Sequence, residues 1–81
     1  MNGQMGRTVL IITPSIRLDQ FLKWAGVAPT GGRAKEMISG GRVKVNGVVE
    51  SRRTSSLWAG DMVEVDLGGA AAEVLRVAVR P

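Results

Sequence analysis

The residues best suited to chemistry in this chain are arginines and lysines, and most of them lie between positions 17 and 53. This basic segment holds eight basic residues against Asp19, Glu36 and Glu50, a net charge of +5, whereas the whole chain carries +4. Its basic residues are Arg17, Lys23, Arg33, Lys35, Arg42, Lys44, Arg52 and Arg53. Arginine and lysine at this density attract phosphate groups. The basic segment therefore predicts a surface that holds a polyanion.

The residues from Thr30 to Arg33 could hold one phosphate. Thr30 is of the type that caps a helix, and Gly31 and Gly32 would leave the first backbone N–H groups of that helix uncovered. Such N–H groups, together with the helix dipole, bind phosphate oxygens. The alternative is an ordinary capped helix start in which glycine serves a tight bend. No Gly-Lys-Ser/Thr sequence follows, so this is not a P-loop.

Trp24 has two interpretations. At about 100° per residue, Trp24 and Arg17 fall on the same flank of the first predicted helix. A tryptophan beside an arginine could form a platform on which a nucleobase stacks. Alternatively, Trp24 packs against the sheet and the alkyl stem of Arg17 covers it.

Catalysis has little support in this sequence. The chain contains neither histidine nor cysteine, and so it lacks the commonest general base, the thiol nucleophile and the usual zinc ligands. Glu64 and Asp66 fall on one face of a predicted strand, where a solvated polar edge explains them better than a carboxylate pair. The serines have no base to activate them. We therefore expect no enzyme, no cofactor and no metal.

Two helices should position the basic residues. Ser15 can cap a first helix whose apolar positions repeat at i, i+3, i+4 and i+7, and Gly26 can end it. These positions are Leu18, Phe21, Leu22 and Ala25. Thr30 can cap a second helix with Ala34, Met37 and Ile38 on one face. The glycines at residues 40–41 can end this helix.

Strands are expected on both sides of these helices. Residues 8–13 are apolar and β-branched, and a hairpin around Asn46-Gly47 should place Val43 and Val45 on one face and the basic pair Arg42 and Lys44 on the other. Further strands are predicted at residues 62–67 and 73–79. The predicted order is β-α-α-β-β-β-β, in one domain at residues 7–81 after a loose segment at 1–6.

The chain length, the lack of cysteine and the short apolar run near the start limit the class of protein. A chain of 81 residues allows one domain, and its lack of cysteine excludes a disulfide-stapled secreted protein. The apolar run at residues 9–12 is far shorter than the roughly 7 to 15 residues of the apolar region of a signal peptide or the ~20 of a membrane span. We expect a cytoplasmic protein with no membrane partner.

Four motifs in this order resemble the RNA-binding domain family named after ribosomal protein S-four, also called the alpha-L family. They are Arg17-Leu18-Asp19, Thr30 with Ala34, Gly41-Arg42-Val43-Lys44-Val45-Asn46-Gly47, and Gly60-Asp61-Met62-Val63. The match covers residues 15–65. The wider family often has Arg where this chain has Gly31, and the Thr-Gly-Gly-x-Ala-Lys form is similar to that of its short stand-alone bacterial members.

The resemblance implies an α+β fold, a small single domain in which two N-terminal helices pack on a short, mostly antiparallel β-sheet. It implies a non-catalytic protein that grips the phosphate backbone of structured RNA, either ribosomal or transfer RNA. The RNA-contacting positions it carries over are Lys23, Lys35, Lys44 and Arg52, with Arg17, Arg33, Arg42 and Arg53 as a secondary set. The ribosome or a ribosomal subunit is a candidate partner, and we expect a monomer.

Two other functions use the same surface. The chain could be a protein-interaction adaptor, with an exposed Trp24 or Trp58 as its anchor and the basic segment facing an acidic partner. It could also bind DNA without sequence preference, because RNA and DNA both present phosphates.

Overall fold

The computed structural model describes residues 4–69 and 71–81. Within them, two helices lie between strands on either side along the chain. The elements are β1 (Gln4–Ile11), β2 (Ser15–Arg17), α1 (Leu18–Trp24), α2 (Gly31–Ser39), β3 (Val43–Val45), β4 (Val48–Val49), β5 (Ser56–Trp58), β6 (Met62–Asp66) and β7 (Ala72–Val79).

The strands form two sheets. The larger sheet has the order β1-β7-β6-β3-β4, and the smaller one pairs β2 with β5. Neighbouring strands in the described residues are antiparallel except β1 and β7, which run parallel from the pair Gln4 and Ala72 to the pair Ile11 and Val79. The predicted predominance of antiparallel pairing is therefore confirmed.

One face of the larger sheet packs against both helices. Alternate residues of the strands point to this face, and the repeating apolar positions of the helices meet them. Phe21, Leu22 and Ile38 from the helices and Val43, Val63 and Leu75 from the sheet are completely buried. The apolar positions predicted for α1 and α2 are thus confirmed as core.

The predicted start of the first helix was wrong. Ser15 belongs to β2 and pairs with Trp58, and α1 begins at Leu18 after Arg17, which makes no side-chain cap. Ile16 lies opposite the buried Leu57, and this apolar pair favours an extended strand over a further turn of helix. The helix ends before Gly26, whose φ of 78° suits glycine.

The expected position of the helices in the chain is also corrected. They follow β1 and β2 and lie in the middle of the chain, instead of at its N-terminal end. The first strand is longer than the predicted 8–13 and begins at Gln4, because β7 supplies a partner for all eight of its residues. Of the predicted loose segment 1–6, residues 1–3 lie outside the described part of the chain.

The hairpin follows the sequence prediction closely. Asn46 and Gly47 have φ values of 51° and 84°, as a two-residue turn of type I′ requires. Val45 pairs with Val48, and Lys44 with Val49. Val43 is buried and Lys44 exposed, which confirms the predicted division of the two faces. Neither helix within residues 4–69 and 71–81 is long and apolar enough to cross a membrane.

Candidate nucleic-acid interface

Asp19 is a buried acidic residue at the start of α1, with only 6% of its surface exposed. Its carboxylate accepts hydrogen bonds from Arg17 Nε at 3.1 Å and Nη2 at 2.6 Å, and Arg53 Nη1 lies 3.7 Å from it. The Asp19 N–H donates to the carbonyl of Arg53 at 3.0 Å. Asp19 therefore fixes the segment around Arg53 against the helix and orients two of the predicted RNA-binding arginines.

The ionisation of Asp19 reflects these contacts. Burial has the largest influence and raises the pKa of Asp19, but the hydrogen bonds from Arg17 and the Gln20 N–H and the charges of Arg17 and Arg53 together lower it more. The net result is a pKa below the ordinary value. The same hydrogen bond raises the pKa of Arg17. Asp19 thus remains a carboxylate at neutral pH.

Arg52 is paired with the carboxylate of Glu50, two residues earlier in the chain. Its N–H donates to Glu50 Oε1 at 3.0 Å, and its Nε lies 3.4 Å from the same oxygen. The backbone hydrogen bond is the main reason why the pKa of Glu50 is lowered. Because 79% of the Arg52 side chain is exposed, this pair is weak and leaves the guanidinium accessible.

The start of α2 uses the backbone N–H of Arg33 for its own cap. Thr30 Oγ1 accepts the N–H of Arg33 at 3.1 Å, which confirms Thr30 as the N-cap. Gly31 and Gly32 are exposed, and neither has a positive φ. A Cβ added at Gly31 would meet nothing within 4 Å. The fold therefore does not require glycine at Gly31, and its small size leaves the backbone open to solvent.

Arg42 and Lys44 lie on the face of the larger sheet that points away from the helices. They line a cavity of about 300 Å³ together with Glu64 and Asp66, and Lys44 lies directly across from Glu64 in the sheet register. The polar-edge interpretation of Glu64 and Asp66 was wrong, because β6 lies between β3 and β7. These carboxylates face the basic pair and reduce its local positive charge.

Trp24 and Lys23 lie at the end of α1. The Trp24 Nε1–H donates to the carbonyl of Leu10 at 2.8 Å, and 55% of the residue is exposed. Trp24 is therefore held beside β1 and is not part of the core. The Arg17 guanidinium is directed to Asp19, which it binds at 2.6 Å.

All of the residues predicted to bind RNA are exposed. They are Lys23, Lys35, Lys44, Arg52, Arg17, Arg33, Arg42, Arg53, Thr30, Gly31 and Gly32. Arg33 pairs with Glu36 at 3.3 Å, so four of the arginines have a carboxylate within 4 Å. Within the described residues, Lys23, Lys35 and Lys44 form no such ion pair. Lys23 and Lys35 therefore keep their charge available for an external anion, whereas Glu64, across the sheet, partly offsets the charge of Lys44.

Two contributions were missed from the sequence. Asp19 was counted as a negative charge and as part of the Arg17-Leu18-Asp19 motif but not as a partner of Arg17, although its position two residues after Arg17 is a signal for a local ion pair. Gln20 and Ile16, which lie beside Trp24, were not singled out. Their proximity depends on β2 being a strand, which the sequence alone did not reveal.

The combination of a small α+β domain with exposed lysines on its helices and hairpin defines a candidate binding domain for a phosphate-bearing polymer. The chain belongs to the S4 domain family, whose pattern matches residues 9–75. It is 42% identical over 62 residues to a protein of Bacillus subtilis named "Probable ribosome maturation protein RlbA", covering 76% of this chain and 87% of that one. It is 40% identical over 50 residues to the Escherichia coli "Putative RNA-binding protein YbcJ", covering 62% and 71% of the two chains.

Proposed function

We propose that this chain is a non-catalytic, cytoplasmic protein that binds structured RNA by its phosphate backbone, with ribosomal or transfer RNA as the expected class. The observation that carries the proposal is its membership of the S4 domain family, whose match at residues 9–75 includes the whole basic segment. The names of two relatives, "Putative RNA-binding protein YbcJ" and "Probable ribosome maturation protein RlbA", support RNA and a ribosomal particle as partners.

Charge availability supports the lysines as the main phosphate contacts. Lys23, Lys35 and Lys44 come from α1, α2 and β3, and none has a carboxylate partner in the described part of the chain. A phosphate that meets them replaces water and counterions and has no ion pair to break. Arg17 and Arg53 must instead share their charge with Asp19, so we expect them to position the RNA more than to supply affinity.

The start of α2 is proposed as one further phosphate contact. The exposed N–H groups of Gly31 and Gly32 lie at the positive end of the helix dipole, with Arg33 and Lys35 on the same turns. The lack of side chains at both glycines would let a phosphate approach the backbone closely. Contacts of this kind fix the register of RNA and carry little sequence information.

The test is a fluorescence anisotropy titration of the protein against labelled structured RNA and the corresponding DNA duplex at several salt concentrations. If about four to six phosphates are neutralised, log affinity should fall against log salt with a slope of about −3 to −5. Tighter binding to RNA than to DNA is expected. Equal binding to both that disappears near physiological salt would contradict the proposal and indicate nonspecific DNA binding.

The double variant K35E/K44E tests whether the surface around Lys35 and Lys44 contacts the RNA. The matched control is R76E/R80E, which changes the net charge by the same amount at exposed residues outside the family match. We expect the first variant to abolish RNA binding and the second to retain most of it. Equal losses in the two variants would mean that only net charge matters, and retained binding in K35E/K44E would contradict the assignment.

Two exposed tryptophans favour a second candidate function. Trp24 and Trp58 each expose 55% of their surface, as the anchor of a protein-interaction adaptor would. An aromatic anchor should hold its partner at high salt and ignore added RNA. Salt-resistant protein binding without RNA affinity would favour the adaptor.

A further inference from the structure

A cavity of about 400 Å³ opens at the end of α1, beside the smaller sheet. Its lining residues are Ile16, Gln20, Lys23 and Trp24. This volume lies within the roughly 300 to 1,000 Å³ of ordinary ligand pockets. The cavity is separate from the cluster around Asp19 and from the cavity beside Lys44, which have different lining residues.

Trp24 is held in place at this cavity. Its indole N–H donates to the Leu10 carbonyl at 2.8 Å, and more than half of the residue remains exposed. A ring whose orientation is fixed before binding loses little conformational freedom when a ligand stacks on it. Trp24 therefore offers a rigid aromatic surface to a flat partner.

The other lining groups match the chemistry of one nucleotide. Lys23 has no carboxylate partner in the described part of the chain, so its ammonium group can neutralise a phosphate. The Gln20 amide has both donors and an acceptor, as the polar edge of a nucleobase does. Ile16 adds an apolar wall. An acidic protein partner would use Lys23 but would leave the flat aromatic surface and the Gln20 amide without a matching group.

We propose that this cavity receives one unpaired nucleobase of the bound RNA, which stacks on Trp24 while its phosphate contacts Lys23. This inference rests on the proposed function, because it identifies which part of an RNA the domain recognises beyond its backbone. Single-stranded loops and bulges are where RNA offers such bases. The other exposed tryptophan, Trp58, does not line the cavity and serves as the matched control.

The first measurement uses the fluorescence of Trp24 in the W58F variant, in which it is the only tryptophan of the chain. The probes are an RNA hairpin with one bulged nucleotide and the same hairpin fully paired. We expect quenching by the bulged RNA and much less by the paired one. Equal quenching by the two RNAs, or none by either, would overturn the inference.

The second measurement compares affinities by anisotropy. W24A should bind the bulged hairpin about 5- to 150-fold more weakly, since stacking of one base has that effect, with little change for the paired hairpin. W58A should bind both like the wild type. If W24A fails to fold by circular dichroism, the W58F fluorescence result decides the question.

The outcomes separate this inference from the proposed function. If the wild type binds RNA but neither the bulge nor Trp24 matters, the base pocket is overturned and phosphate binding stands. If the wild type binds neither hairpin, both proposals fail.

Discussion

Asn46 donates a hydrogen bond from its side-chain Nδ2 to Asp61 Oδ1 at 3.1 Å, which joins two motifs that lie fifteen residues apart in the chain. Asn46 Oδ1 accepts the N–H of Met62, and Asp61 Oδ2 accepts the N–H of Trp58. The Asn-Gly turn and the Gly-Asp turn are thus one hydrogen-bonded unit. It holds the β3–β4 hairpin, and with it Lys44, against β6.

D61A should destabilise the domain by about 1 to 3 kcal/mol, because it removes two hydrogen bonds at about 0.5 to 1.5 kcal/mol each. Urea unfolding followed by circular dichroism measures this difference. E64A removes a carboxylate from β6 that makes no side-chain hydrogen bond within residues 4–69 and 71–81, and serves as the control. A loss in E64A as large as that in D61A would mean that the carboxylate charge matters and the hydrogen bonds do not.

Asp19 should make the stability of the domain depend on acidity. Its pKa is lowered in the folded state, so its contribution is present above the unfolded pKa of about 3.9 and is lost as the pH falls through the folded pKa. At pH 7 we expect D19N to reduce the free energy of unfolding by about 1.5 to 3 kcal/mol, the range for hydrogen bonds to charged groups.

Urea unfolding of wild type and D19N from neutral pH to below 4 checks this expectation. The difference between the two proteins should hold from neutral pH to about 3.9 and shrink only below it, as the pH falls through the folded pKa of Asp19. A difference that stays constant over that range would show that packing, and not charge, causes the loss.

Substitution of Gly31 by alanine distinguishes a role of this glycine in RNA binding from a role in the stability of the fold. Because a Cβ at this position meets no atom within 4 Å and the φ is ordinary, G31A should leave stability unchanged or raise it by up to about 1 kcal/mol. If a phosphate approaches this backbone, G31A should nevertheless weaken RNA binding. The control is G47A, which places a side chain at a φ of 84° and should lower stability. Unchanged RNA affinity in G31A would remove Gly31 from the binding surface.

Paired and unpaired basic residues should respond differently to truncation. K35A should reduce the magnitude of the salt slope by about 0.7 to 0.9 and change stability by less than about 0.5 kcal/mol, since it removes one phosphate contact and no ion pair. R17A should instead lower the free energy of unfolding, because it leaves the buried Asp19 carboxylate with fewer partners, and it should change the salt slope little. Salt-dependent RNA titrations and urea unfolding of both variants test this contrast. Equal slopes for wild type and K35A would exclude Lys35 as a contact.

The parts of the fold that could be predicted depend on neighbouring residues. Residues only a few positions away were enough to predict three features. These are the burial of Phe21 and Leu22, the burial of Met37 and Ile38, and the turn at Asn46-Gly47. The pairing of Ile16 with Leu57 and the parallel pairing of β1 with β7 join residues more than forty positions apart. Such pairing depends on how the whole chain packs, and that is why Ser15 was expected to cap a helix.

The candidate site divides in the same way. The exposure of the lysines and the cap at Thr30 followed from local patterns. The sequence did not reveal that Glu64 lies across from Lys44 or that Asp19 binds Arg53, because both contacts need the tertiary structure. The sequence therefore predicts the total positive charge, whereas the structure is needed to tell which basic residues are paired with carboxylates.

The hydrogen bond from Trp24 to Leu10 has a consequence for self-association. β1 is an edge strand, and its Ile11 carbonyl is bonded by the Arg80 N–H that follows β7, so the neighbouring Leu10 carbonyl points to the outer edge. A strand from a second molecule could extend the sheet only by pairing with such outward groups. The indole already occupies one of them, so Trp24 blocks this part of the edge against the growth of a continuous intermolecular sheet.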